Sequence, residues 1–127
     1  MLKQVIIIGT GGFIGTVARY LTTELAHKSI NTNFPLATLA INLAGCFLIG
    51  VFFGLFEKGN LMSAELRLFL TVGFCGGFTT FSAFANDSIN LYSDSEFLYL
   101  SLYLGVSVFA GLLMTYFGKS IVNYFLS

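Results

Sequence analysis

The chain has 127 residues, of which 56% are apolar and only 9% charged, with six basic and six acidic side chains and a mean hydropathy of +0.85. Twelve charges cannot cover the surface of a soluble domain of this size, and a zero net charge gives no grip on nucleic acid or on an acidic partner. Four uncharged stretches, Gln4–Ala18, Ser29–Phe56, Leu68–Asn86 and Phe97–Gly118, hold 15, 28, 19 and 22 residues. Since roughly 20 helical residues cross a hydrocarbon core about 30 Å thick, the chain reads as an all-α integral membrane protein. Residues 1–127 make a single four-helix transmembrane domain with spans near 4–25, 34–56, 66–86 and 97–119.

The first span opens with "VIIIGTGGFIGTVARY", Val5 to Tyr20. An apolar run feeding Gly9, Gly12 and Gly15 resembles the strand, turn and helix start of a dinucleotide-binding unit. That unit needs a second strand ending in Asp or Glu about 20 residues further on, and residues 29–56 offer a long neutral run instead. Lys3 and "TVA" also resemble a signal peptide, but Arg19 and Tyr20 follow at once and three spans remain, which favours an uncleaved helix. The glycines then read as a packing face at three- to five-residue steps, shared with Gly45, Gly50 and Gly54 of the second span. In the connection Ala26–Asn33, His27 stands alone beside Lys28; one imidazole makes neither a metal site nor a catalytic pair, and it reads as a solvated loop residue.

The second span carries Asn42 within "ATLAINLAGCF". An amide is costly in hydrocarbon unless it is hydrogen-bonded, and two readings stand: glue between helices, or the wall of a polar pathway. Cys46 here and Cys75 in the third span lack metal-ligand spacing and read as small packing residues.

The third span contains "GFCGGFTTFSAF", Gly73 to Phe84. Paired glycines followed by paired threonines are poor helix formers, and they predict a helix broken near Gly76–Thr80. Unwound backbone at membrane depth must be buried in protein or line a watery cavity. There its carbonyls can meet a cation and its amides and hydroxyls an anion. A glycine-kinked packing helix is the alternative. Phe81 and Phe84, at i and i+3, project to nearly one side, and their positive ring edges can meet a small anion without a full charge.

Beyond the connection Asp87–Glu96 comes the fourth span. With four spans both termini share a side with Lys3, Lys58, Arg67 and Lys119, against Arg19 and Lys28 opposite. So weak a basic bias lets a chain insert either way up, which makes an antiparallel, dual-topology homodimer possible. A four-span multidrug exporter with an embedded acid fits poorly, because Glu24 lies at the end of a span. A purely structural subunit leaves Asn42 and the "TTFS" break unexplained. There is no nucleotide loop, no mid-membrane acid for proton coupling, and no nucleophile with its partners, so the chain does not read as an enzyme.

Taken together, "GGFIGTVARY", "ATLAINLAGCFLIG" and "GFCGGFTTFSAF" resemble the CrcB/Fluc fluoride channels along nearly the whole chain. The resemblance implies an antiparallel homodimer in a prokaryotic plasma or inner membrane, contacting only its own copy, lipid and fluoride. It exports fluoride passively through two pores and holds a structural sodium ion at its centre on backbone carbonyls of the broken helices, at Gly76 and Thr79. The fluoride pathway carries over to Asn42, Phe81 and Phe84, with Thr38, Ser82, Tyr103 and Ser107 as polar positions beside it. Arg19 matches a first-helix arginine, read as a vestibule attractant or a structural anchor. This chain departs from the pattern at Ala83, where a threonine is common, at Gly111, where some members have a hydroxyl, and at Asp87, where a longer carboxylate occurs.

Overall fold

A computed structural model describes residues 1–59 and 61–126, and all regular structure among them is helical. Helix α1 spans Leu2–Ser29 and α2 spans Leu36–Glu57. The third crossing is assembled from α3 (Ala64–Leu68), a π-helix (Phe69–Cys75), α4 (Gly76–Phe78) and α5 (Phe81–Ser93). Helix α6 spans Phe97–Leu126. Four helical stretches, Leu2–Ser29, Leu36–Glu57, Ala64–Ser93 and Phe97–Leu126, are long and apolar enough to cross a membrane.

Each turn has a local cause. Helix α2 starts immediately after Pro35, which lacks a donor the first turn would leave unpaired anyway. It stops where Gly59 takes a φ of +100° and returns its N–H to the Phe56 carbonyl. Ser63 caps α3 by accepting from the Leu66 N–H at 3.1 Å. At the far end of the third crossing Ser95 adopts φ 58°, and the Glu96 N–H reaches back to the Leu91 carbonyl. The helix therefore runs through Asp87 to Ser93, residues the sequence assigns to a connection. Polar side chains do not end a helix that has left the hydrocarbon and can be solvated.

Two tight helix pairs hold the bundle. Helix α2 lies along α6, with Gly50 against the backbone of Thr115 and Gly118 against that of Phe47. The Thr115 hydroxyl crosses this seam to the Cys46 carbonyl at 3.1 Å. Helix α1 lies along the π-helix and α4. A Cβ on Gly11 would sit 2.5 Å from the Phe69 carbonyl oxygen, and one on Gly73 would sit 2.9 Å from that of Ile8. With no room for a methyl, the backbones pack directly on one another. This corrects the expected face of α1: Gly11 and Gly15 are buried in the seam, whereas Gly9 meets nothing. Stepping by three residues from Gly9 misplaced the stripe, because Gly11 and Gly15 are one turn apart at i and i+4.

The π-helix is the wide turn beside this seam. The Gly76 N–H reaches the Thr71 carbonyl five residues back, and the Thr71 hydroxyl donates to the Arg67 carbonyl at 2.8 Å. At the end of the bundle that carries the N-terminus, Lys3 pairs with Glu65 at 3.3 Å and Lys119 with Glu57 at 3.0 Å. The Arg67 guanidinium lies 4.4 Å from the Phe56 ring centre. These exposed contacts tie helix ends together and contribute little to stability.

Candidate functional site

The third crossing breaks at Thr79 and Thr80, which are extended at φ/ψ of −84°/158° and −152°/119°. The break lies inside the window read from the sequence, yet Gly76 and Gly77 remain helical. Gly77 is small for another reason: a Cβ there would lie 2.6 Å from the Gly12 carbonyl oxygen of α1. Two β-branched residues in succession open the chain, and two glycines let it approach its neighbour.

Every backbone group freed by a break inside a membrane needs a partner. Asn42 supplies two of them. Its Oδ1 accepts from the Thr80 N–H at 2.9 Å, and its Nδ2 donates to the Thr80 carbonyl at 3.0 Å. The Thr80 hydroxyl caps α5 by accepting from the Ala83 N–H at 3.2 Å, and it lies 3.2 Å from the Ser82 hydroxyl. Arg19 donates from Nε to the Gly77 carbonyl at 3.1 Å. The Cys75 carbonyl accepts twice from Thr79, from its N–H at 3.0 Å and its hydroxyl at 2.8 Å.

These bonds redirect two donors. In a continuous helix the Thr80 N–H would bond the Gly76 carbonyl and the Ala83 N–H that of Thr79. The first goes to Asn42 and the second to the Thr80 hydroxyl. The carbonyls of Gly76 and Thr79 thus lose their helical donors, and Gly76 is exposed. Carbonyl oxygen is a hard ligand suited to a small cation. No cluster of three His, Cys, Asp or Glu side chains lies among the described residues.

Two cavities flank the Asn42–Thr80 clamp, and Thr80 borders both. One, of about 380 Å³, opens toward the Ser29–Pro35 connection and is lined by Arg19, Thr23, His27, Thr38 and Asp87 among others. The other, of about 350 Å³, is lined by Asn42, Gly45, Cys46, Thr79, Phe81, Phe84 and Ser107 among others. The candidate residues therefore divide: Asn42, Phe81, Phe84 and Ser107 share one cavity, and Arg19 and Thr38 share the other. Phe81 is 79% exposed, and its ring centre lies 5.6 Å from that of Phe84.

Tyr103 stands behind these walls. It is fully buried, its ring centre lies 5.0 Å from that of Phe84 and 5.8 Å from that of Phe34, and its hydroxyl donates to Asp87 Oδ2 at 3.1 Å. Sequence reasoning passed over Thr80 as a site residue, although a threonine directly before a resumed helix is a capping signal. It also took His27 for a loop residue. His27 belongs to the last turn of α1, because the helix runs to Ser29, and it lines the loop-facing cavity.

The architecture is that of a small multi-pass membrane protein with one helix broken at membrane depth between two polar-edged cavities. The family described as "CrcB-like protein, Camphor Resistance (CrcB)" matches residues 6–119. The fluoride-specific ion channel FluC of Flavobacterium psychrophilum is 49% identical over 122 residues, covering 96% of this chain and 98% of that protein. The protein of the same name from Chlorobium phaeobacteroides is 48% identical, covering 93% of this chain and 91% of its own. That of Bacteroides fragilis is 46% identical, covering 88% and 90%. The chain belongs to the CrcB family.

Proposed function

We propose that this chain is a fluoride-selective ion channel that exports fluoride passively across the prokaryotic cell membrane. In this reading two pores run through an antiparallel homodimer with a sodium ion at its centre. The observation that carries it is the cavity shared by Asn42, Phe81, Phe84 and Ser107 beside a helix break stabilised without formal charge on its own segment. Near full-length similarity to proteins named as fluoride-specific channels supports the choice of ion.

Fluoride is small and tightly hydrated, so a pathway must replace its water with several partial-positive groups. Asn42 Nδ2 carries two hydrogens; one goes to the Thr80 carbonyl, which leaves the other for an anion in the cavity. The hydroxyls of Ser107 and Ser82 and the edges of Phe81 and Phe84 extend the track. Thr38 continues it in the second cavity, and Tyr103 holds the Phe84 ring from behind. A narrow path between rings penalises the larger chloride, and sharing the ion among weak sites lets it leave. Arg19 is an anchor through its bond to Gly77, with the rest of its guanidinium bringing positive charge to the vestibule.

The sodium ion is read onto the Gly76 and Thr79 carbonyls from the family resemblance, and the loss of the helical donors of both supports that reading. When bound, it would tie the broken helices of two protomers together. The uncovered positions of Gly76 and Phe81 on a single chain support a second copy against this surface. The four-to-two distribution of basic residues supports that copy in the opposite orientation.

Purified protein in fluoride-loaded liposomes tests the reading. Fluoride efflux should run with the gradient, without nucleotide or proton gradient, and chloride-loaded vesicles should retain their ion. Efflux no faster than from protein-free vesicles overturns it. Single reporter cysteines at each terminus, with Cys46 and Cys75 replaced by alanine, should label from both faces of sealed membranes; one-sided labelling overturns the dual topology.

A further inference from the structure

One titratable group of the vestibule has no part in the pathway just described. Arg19, Thr23 and His27 follow one another at four-residue steps along α1, and all three line the loop-facing cavity. Eight residues of helix put His27 about 12 Å beyond Arg19 along the axis, toward the mouth. Asp87 of α5 shares the cavity wall, and one of its carboxylate oxygens accepts from the Tyr103 hydroxyl. Among the described residues neither Arg19 nor His27 is in a salt bridge with Asp87. Glu24 and Lys28 sit on the same helix but outside the lining of this cavity. An anion entering from this side therefore meets His27 near the rim and Arg19 deeper, with Asp87 as the acid facing them.

We propose that His27 is a second anion-attracting group of the vestibule, which raises the fluoride concentration at the pore mouth when its imidazole is charged. The proposal rests on the fluoride-channel reading above. Histidine is the side chain whose charge ordinarily changes between about pH 5 and 8, so entry of fluoride becomes faster in acid. A charge at a vestibule acts by enriching the permeant ion, and it acts without touching the selective part of the path. In water, a unit charge about 12 Å away changes the local concentration of a monovalent ion by roughly two-fold. Salt abolishes the effect, because the screening length falls from about 30 Å at 0.01 M to about 3 Å at 1 M.

Fluoride currents through the full-length protein in planar bilayers test this, since hydrogen fluoride crosses lipid uncharged and adds no current. Parent, His27→Gln and His27→Lys are compared at pH 8 and pH 5.5, each at about 10 mM and about 1 M total salt. At low salt the parent current should rise about two-fold on acidification. His27→Gln should stay at the alkaline level and His27→Lys at the acidic level at both pH values. All three should converge at high salt. A parent current that does not change with pH overturns the proposal. So does an equal rise in His27→Gln, which would take the effect away from His27, or a rise that persists at high salt. A parent protein passing no fluoride current at pH 8 would overturn the channel reading, and this proposal with it.

Discussion

Replacing Asn42 by alanine removes both partners of the Thr80 peptide group, its N–H at 2.9 Å and its carbonyl at 3.0 Å. A buried polar group left unpaired costs about 1–3 kcal/mol. Thr80 borders both cavities, so water can reach it, and the lower half of that range applies. Two groups then give a loss of about 2–4 kcal/mol, roughly a thirty- to nine-hundred-fold change in the folding equilibrium. Asn42→Asp keeps the acceptor for the Thr80 N–H but turns a second oxygen against the Thr80 carbonyl. It also brings a negative charge to membrane depth, at about 3 kcal/mol on insertion scales. Heating purified protein in detergent and counting the surviving dimer should rank parent above Asn42→Ala above Asn42→Asp. Fluoride efflux per surviving dimer should fall in both variants, since the spare amide hydrogen is gone. An alanine variant that melts and conducts like the parent refutes the clamp and the ion contact together.

The ring edges are tested by Phe81→Ile and Phe84→Ile, which keep most of the apolar volume: dimers should still form while fluoride efflux collapses, and efflux at the parent rate in both would make these rings packing residues. Methionine at either position should fall between, because its side chain is polarizable. Gly11→Ala should cost about 2 kcal/mol or more through overlap with the rigid Phe69 backbone, whereas Gly9→Ala, which meets nothing, should be neutral or stabilising by up to about 1 kcal/mol; thermal survival of the two variants compares them directly. Exchange of sodium for a bulky organic cation should lower thermal survival of the dimer, with recovery when sodium is restored; identical survival in the two buffers removes the cation from the Gly76 and Thr79 carbonyls.

The four crossings were legible because hydrophobic runs of 15 to 28 residues leave little else for a chain to do. The break was legible as a region, since glycines and threonines side by side weaken a helix. Assigning the parts within it required a neighbour. Gly77 is shaped by Gly12, and Thr80 by Asn42 thirty-eight positions away, and no local pattern carries either relation. Asn42 satisfies one of the two readings the sequence left, since it bonds across helices, and it does so while lining a cavity. The π-helix left no trace, because seven residues sample too few turns for their period to show a wider coil. The resemblance sets Tyr103 beside the fluoride path, and only the structure shows that its side chain is wholly buried with its hydroxyl on Asp87.

The pairing of Thr79 with Thr80 has a consequence for how the chain enters the membrane. The break leaves the C-terminal end of α4, with its bared carbonyls, close to the N-terminal end of α5, with its amides. One interruption thus sets a patch that favours cations beside one that favours anions. Neither needs an ionised side chain in the stretch from Leu68 to Asn86. An arginine or aspartate doing the same work would cost about 2.5–3.5 kcal/mol at the centre of an inserting helix. Uncharged backbone crosses an insertion machinery as readily from one end as from the other. In the channel reading proposed above, ion chemistry kept in peptide groups leaves the choice of direction to a handful of lysines and arginines at the helix ends, where a single added or lost charge can tip it.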